Sequence, residues 1–184
     1  MADNNMLKKI TFIKDHRCFK KGDTFDFEPL TLLVGDQGCG KSTILNLLSI
    51  AGSPSQKEVV KIEAGEIATR WFDYEKHNLR MKSYVEKPED VVFRWGSHGE
   101  FVTALNATIV EQKKVCWLQD EPDSALSIRS CVKLAECFKT ALKNKCQVIA
   151  AIHSPIVMSQ FDKVLSLEHR KWMSPQEFIA THTK

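Results

Sequence analysis

At 184 residues, 43% hydrophobic and 27% charged, the chain has the length and balance of one compact domain with a sizeable core, residues 1–184, which excludes a disordered or low-complexity protein. Its formal net charge of +3 permits nucleic-acid contact without arguing for it, and no run approaches the roughly 18 apolar residues of a membrane span. Six cysteines with no C-x-x-C pair, Cys116 and Cys146 among them in apolar runs, predict free thiols in a reducing cytoplasm, and the polar start Ala2-Asp3-Asn4-Asn5 predicts no signal peptide.

In chain order, strands are expected near 7–14, 24–28 and 30–34. The third, Leu30-Thr31-Leu32-Leu33-Val34, runs into Gly35-Asp36-Gln37-Gly38-Cys39-Gly40-Lys41-Ser42-Thr43. That run fits the phosphate-binding loop G-x-x-x-x-G-K-[ST] at every fixed position, and a helix over 41–50 follows. Glycines let the backbone wrap so that N–H groups face phosphate oxygens, and the helix N-terminus adds partial positive charge there. Lys41 would reach the β- and γ-phosphates, and Ser42 would ligate Mg²⁺. Cys39 is either an oxidation site or a small tolerated residue.

Strands near 69–74 and 91–95 come next, within a shortened insert over 53–96, then a helix over 100–112. Ser97-His98-Gly99-Glu100 makes a capping box ahead of that helix. The strand Val115-Cys116-Trp117-Leu118-Gln119 ends in Asp120-Glu121-Pro122-Asp123. A buried strand ending in an acid presents a carboxylate to a metal: Asp120 would hold Mg²⁺ through water, and Glu121 would point at an attacking water. A helix over 127–143 leads to a strand over 146–152 ending at His153, either a solvated turn residue or a sensor of the γ-phosphate. Ser154-Pro155 starts a short helix, with Ser as cap. A strand over 163–167 and a capping box, Ser174-Pro175-Gln176-Glu177, opening a helix over 174–182 complete the chain. Lys8-Lys9 and His169-Arg170-Lys171 read as solvated faces. The alternation of strands and helices in the second half predicts an α/β fold, a mainly parallel core sheet flanked by helices, and the β-rich start predicts an antiparallel side sheet.

This order of motifs resembles the ATP-binding-cassette (ABC) class of P-loop ATPases, with Ser124-Ala125-Leu126-Ser127 similar to their short loop after the acids. Ser97-His98-Gly99-Glu100 resembles the S-x-G-E signature of the SMC, RecF and double-strand-break-repair ATPases more than the L-S-G-G-Q of transporters. The resemblance implies that Ser97 and Gly99 contact a γ-phosphate bound by a second subunit, and that the opening segment brings Arg17 to the nucleotide. Arg17 reads equally as one surface cation among Lys14, Lys20 and Lys21. Trp71-Phe72-Asp73-Tyr74-Glu75-Lys76-His77-Asn78-Leu79-Arg80 is similar to a stretch of small stand-alone bacterial and phage ATPases of this clan. The chain departs from the pattern at the loop Gln that usually assists the metal. Gln56 lies too close behind the first helix, which leaves Asp73 or Glu75 for that neighbourhood.

The resemblance implies ATP and Mg²⁺ as cofactors and an ATP-dependent homodimer. Its function would be an ATP-hydrolysing switch that drives conformational change in a partner protein or nucleic-acid complex. The alternative is a nucleotide-gated binding module with little turnover that docks a nuclease or toxin. Glu121 favours the switch, since a pure binder needs no general base.

Overall fold

The computed structural model describes residues 5–73 and 113–182. The expected strand over 91–95 and helix over 100–112 lie outside them. Among the described residues two sheets form. Strands β1 (Leu7–Phe12), β2 (Thr24–Asp26) and β4 (Val60–Ala64) make an antiparallel side sheet in the order β2-β1-β4. The core sheet takes β3 (Leu30–Val34), β5 (Ala68–Asp73), β6 (Val115–Asp120), β7 (Gln147–Ala151), β8 (Val164–Ser166) and β9 (Lys171–Met173) in the order β5-β6-β7-β3-β8-β9. Every pairing in it is parallel except β8 with β9. The helices are α1 (Lys41–Ser49), α2 (Pro54–Lys57), α3 (Ile128–Lys143), α4 (Pro155–Met158) and α5 (Pro175–His182).

The period-two alternation of the strands divides their side chains between two cores. Leu33, Leu118, Ile149 and Leu165 face α1, whose Ile44, Leu45 and Leu48 fill the space beneath Ile10, Phe12 and Phe25 of the side sheet. Leu32, Val34, Val148 and Ala150 face the other way, onto Leu134, Phe138 and Ala141 of α3 and Val157 and Met158 of α4. Both faces of the parallel sheet are therefore covered, which explains its nearly unbroken apolar strands.

A buried amide joins the two sheets. Gln147 Oε1 accepts from the Leu7 amide at 2.9 Å, while its Nε2 donates to Leu7 O at 2.8 Å and to Glu28 O at 3.1 Å. The side chain thereby ties the start of β1 and the residues ahead of β3 to β7.

The expected elements over the described residues are present, with ends shifted by a few residues. Three elements were not expected: β4, β9 and the one-turn α2. Ser154 occupies the N-cap position of α4 without a side-chain capping bond, because its Oγ donates to Cys131 Sγ at 3.5 Å. Ser174 does cap α5, accepting from the Glu177 amide at 3.1 Å. The Glu177 carboxylate completes no box; it accepts from Lys171 at 2.9 Å.

Candidate active site

The loop between β3 and α1 begins where the central strand leaves the sheet. Its last glycine, Gly40, sits at φ 105° at the N-cap of α1, in the left-handed region. A Cβ there would lie 2.4 Å from Phe19 Cζ and 2.7 Å from Cys18 Sγ, so only glycine fits beneath the 16–19 turn. Lys41 opens the helix and is buried, 6% exposed. Its ammonium donates to Gly35 O at 2.7 Å and Asp36 O at 3.0 Å, and so lies inside the curl of the loop. Cys39 is half-buried, its Sγ 3.8 Å from the Lys41 ammonium. Burial raises its thiol pKa against the opposing pull of Lys41, which disfavours the reactive thiolate. Of the two roles open to Cys39, the small tolerated residue suits this environment better.

Ser42 Oγ donates to Asp120 Oδ1 at 3.1 Å. A hydroxyl and a carboxylate oxygen side by side are a donor set for a hard cation, so these residues fit Mg²⁺. The parallel register of β6 with its neighbours brings Asp120 level with Asp73 at the end of β5, and Asp73 is buried there. Glu75 lies outside the described residues. Gln56 has another use: its side chain accepts from the Gly52 amide and donates to Val60 O, bracing the turn from α2 into β4.

Glu121 follows the strand at φ 56°, left-handed for a residue with a side chain. Its Oε1 accepts from His153 Nε2 at 3.1 Å. His153 comes just after β7, and its backbone is pinned by Asp123, whose Oδ2 accepts the amides of His153, at 2.8 Å, and of Ser154. Burial raises the Asp123 carboxyl above the usual carboxylate range, although both amides pull the other way. Asp123 was not picked out as a site residue in the sequence. The only available signal was its place in the acidic turn, which does not show that it reaches a second strand end.

Arg17, at φ 54°, donates to Thr43 Oγ1 at 3.1 Å and so lies over the start of α1. Arg17, Gln37, Gly38, Lys41, Glu121 and His153 all face one cleft of about 330 Å³. Ser97 and Gly99 lie outside the described residues.

A parallel sheet with a glycine loop on its central strand, an acidic pair closing a strand two places along and a histidine after the strand between them is the fold of the ABC class of P-loop ATPases. The chain belongs to the AAA ATPase domain family, whose model matches residues 6–124. No curated protein sequence matches it significantly. Among solved structures the fold is similar to an inward-facing metal-chelate type ABC transporter, with TM-score 0.60 and 20% identity over 94% of this chain and 85% of that one. It is also similar to CbiO1 from Clostridium perfringens, part of the ABC transporter complex CbiONQ, with TM-score 0.56 and 14% identity over 98% of this chain and 92% of that one. At such identities the likeness shows the fold alone.

Proposed function

We propose that the chain is a single-domain ATP-hydrolysing switch in which two copies close around two ATP molecules and pass that closure to a partner protein or nucleic-acid complex. The observation that carries this is the convergence of Lys41, Glu121 and His153 on one cleft beside the Ser42–Asp120 pair. In this reading the loop from Gly35 to Thr43 holds the phosphates, and Arg17 lies against the nucleotide. Ser42 and Asp120 would hold Mg²⁺, which would supply charge neutralisation to the phosphates. Glu121 takes a proton from the attacking water, whose oxygen bonds to the γ-phosphorus as the bond to the leaving ADP oxygen breaks. His153, bonded to Glu121 at 3.1 Å, holds the carboxylate and turns to the γ-phosphate when nucleotide enters. Ser97 and Gly99 complete the neighbouring subunit's site.

Phosphate release tests the reading. Glu121→Gln keeps the shape without the basicity, so it should bind ATP and turn over far more slowly. Wild-type turnover in that variant would remove Glu121 from the chemistry. A wild-type chain that binds ATP but releases no phosphate would favour the nucleotide-gated module. His153→Ala should lower turnover more than ATP affinity, whereas equal losses would mark a structural histidine.

A further inference from the structure

On the far side of the phosphate loop the described residues hold one cluster of metal-ligand types, Asp36, Glu168 and His182, with one donor atom of each within 4.8 Å of the others. The hydrogen bonds around His182 decide how its ring is used. Its Nδ1 lies 2.9 Å from Phe178 O, one turn back on α5. The Thr181 hydroxyl, 2.9 Å from the same nitrogen, already donates to that carbonyl at 2.6 Å, and a carbonyl can only accept, so Nδ1 carries the hydrogen. Nε2 of the neutral ring then directs a lone pair at Glu168 Oε2, 2.9 Å away, with Asp36 Oδ1 at 3.9 Å. A carboxylate is also acceptor-only, so a cation must lie between them, either a proton or a metal ion. The carboxylate is itself held, because Glu168 Oε1 accepts the Asp36 amide at 2.6 Å. A histidine backed by a carbonyl and a carboxylate backed by an amide are the outer supports that orient metal ligands. One imidazole nitrogen with two carboxylate oxygens suits Zn²⁺ and its neighbours better than Mg²⁺ or Ca²⁺, which prefer all-oxygen sites.

We propose that Asp36, Glu168 and His182 form a site for a divalent transition-metal ion, best matched by Zn²⁺, that fastens helix α5 to the opening residues of the phosphate loop. The ion takes one oxygen from each carboxylate and Nε2 of His182, and water completes its coordination. It is separate from the Ser42–Asp120 pair and needs no nucleotide, so its test does not depend on ATP turnover.

The experiment uses the full chain, stripped with a chelator, without nucleotide, titrated with Zn²⁺ by calorimetry and with Co²⁺ by visible absorption. Wild type should bind one equivalent, with Co²⁺ bands of a nitrogen–oxygen site. His182→Gln should weaken Zn²⁺ binding by more than the roughly 10–100-fold that loss of an outer-shell partner costs. Asp36→Asn alters a carboxylate whose side chain is 79% exposed, so it should fold normally and also bind more weakly. Equal affinity in wild type and Asp36→Asn would overturn the site even if His182→Gln failed to fold. So would a thiolate charge-transfer band, which would put the metal on Cys18 or Cys39. Absence of binding to wild type would leave an imidazolium–carboxylate pair and refute the metal.

Discussion

Gly40 carries two constraints at once, a left-handed backbone and the rings beneath it. Phe19 stacks on Phe12 with centroids 4.3 Å apart and meets Phe25 edge-on at 5.6 Å, so it has little room to yield. Gly40→Ala should cost about 1–2 kcal/mol for backbone conformation and about 1–3 kcal/mol for overpacking, read as a lower urea midpoint. Asp123 is a second residue with a separable effect. Asp123→Ala leaves two amides without their acceptor and should destabilise by about 1–3 kcal/mol, while Asp123→Asn keeps an acceptor in place. The pH dependence has a definite sign. A carboxyl raised in the native state holds its proton more tightly there than in the unfolded chain. Its stabilising contribution is complete below the ordinary value of about 3.9 and is lost as pH rises through the native value. Urea midpoints of wild type should therefore fall relative to Asp123→Asn over that window, and parallel curves would show that the carboxyl is not raised.

Among the elements, the bond from Gln147 to Leu7 is the clearest target. Gln147→Ala removes the side-chain partner of the Leu7 amide and carbonyl and should cost about 1–3 kcal/mol by chemical denaturation. Hydrogen exchange should then rise in β1 ahead of β7, because β1 loses its tie to the core sheet. The inner strands of the core sheet, β6, β7, β3 and β8, were legible in the sequence because they are apolar on both faces. The meeting of Ser42 with Asp120 followed from a phosphate loop and an acidic strand end carried by one parallel sheet. Two edge strands, β4 and β9, were not. β4 has Val60 buried but Glu63 and Ala64 exposed, and β9 is three residues long, so neither gives a run that stands out from a loop. The reach of Asp123 to the amides after β7 was hidden for another reason: it depends on the register of β6 against β7, which no local pattern encodes.

At the scale of the molecule, the proposed signature and the phosphate loop lie on different segments, so one chain would hold half of each active site. Two such halves related by a two-fold axis close on each other. Light scattering of Glu121→Gln should show an ATP-dependent dimer, and wild-type specific activity should rise with protein concentration. Lys41→Ala should weaken ATP binding by about tenfold or more, as expected for a charge-assisted contact of roughly 1.5–3 kcal/mol. Mixing it with Ser97→Arg should recover part of the activity, because each heterodimer regains one complete site. A strict monomer that hydrolyses ATP at a rate independent of concentration would overturn the sandwich. The position of Lys41 also changes what binding means for the whole chain. Its ammonium already donates to two carbonyls at the loop entrance and lies 3.8 Å from Cys39 Sγ, so in the proposed reading an incoming phosphate would compete with internal partners and would not meet an idle charge. Nucleotide capture would then be a swap of partners. Any of the Gly35 and Asp36 carbonyls given up in that exchange would need a new donor, so filling the loop and rearranging its entrance would be coupled.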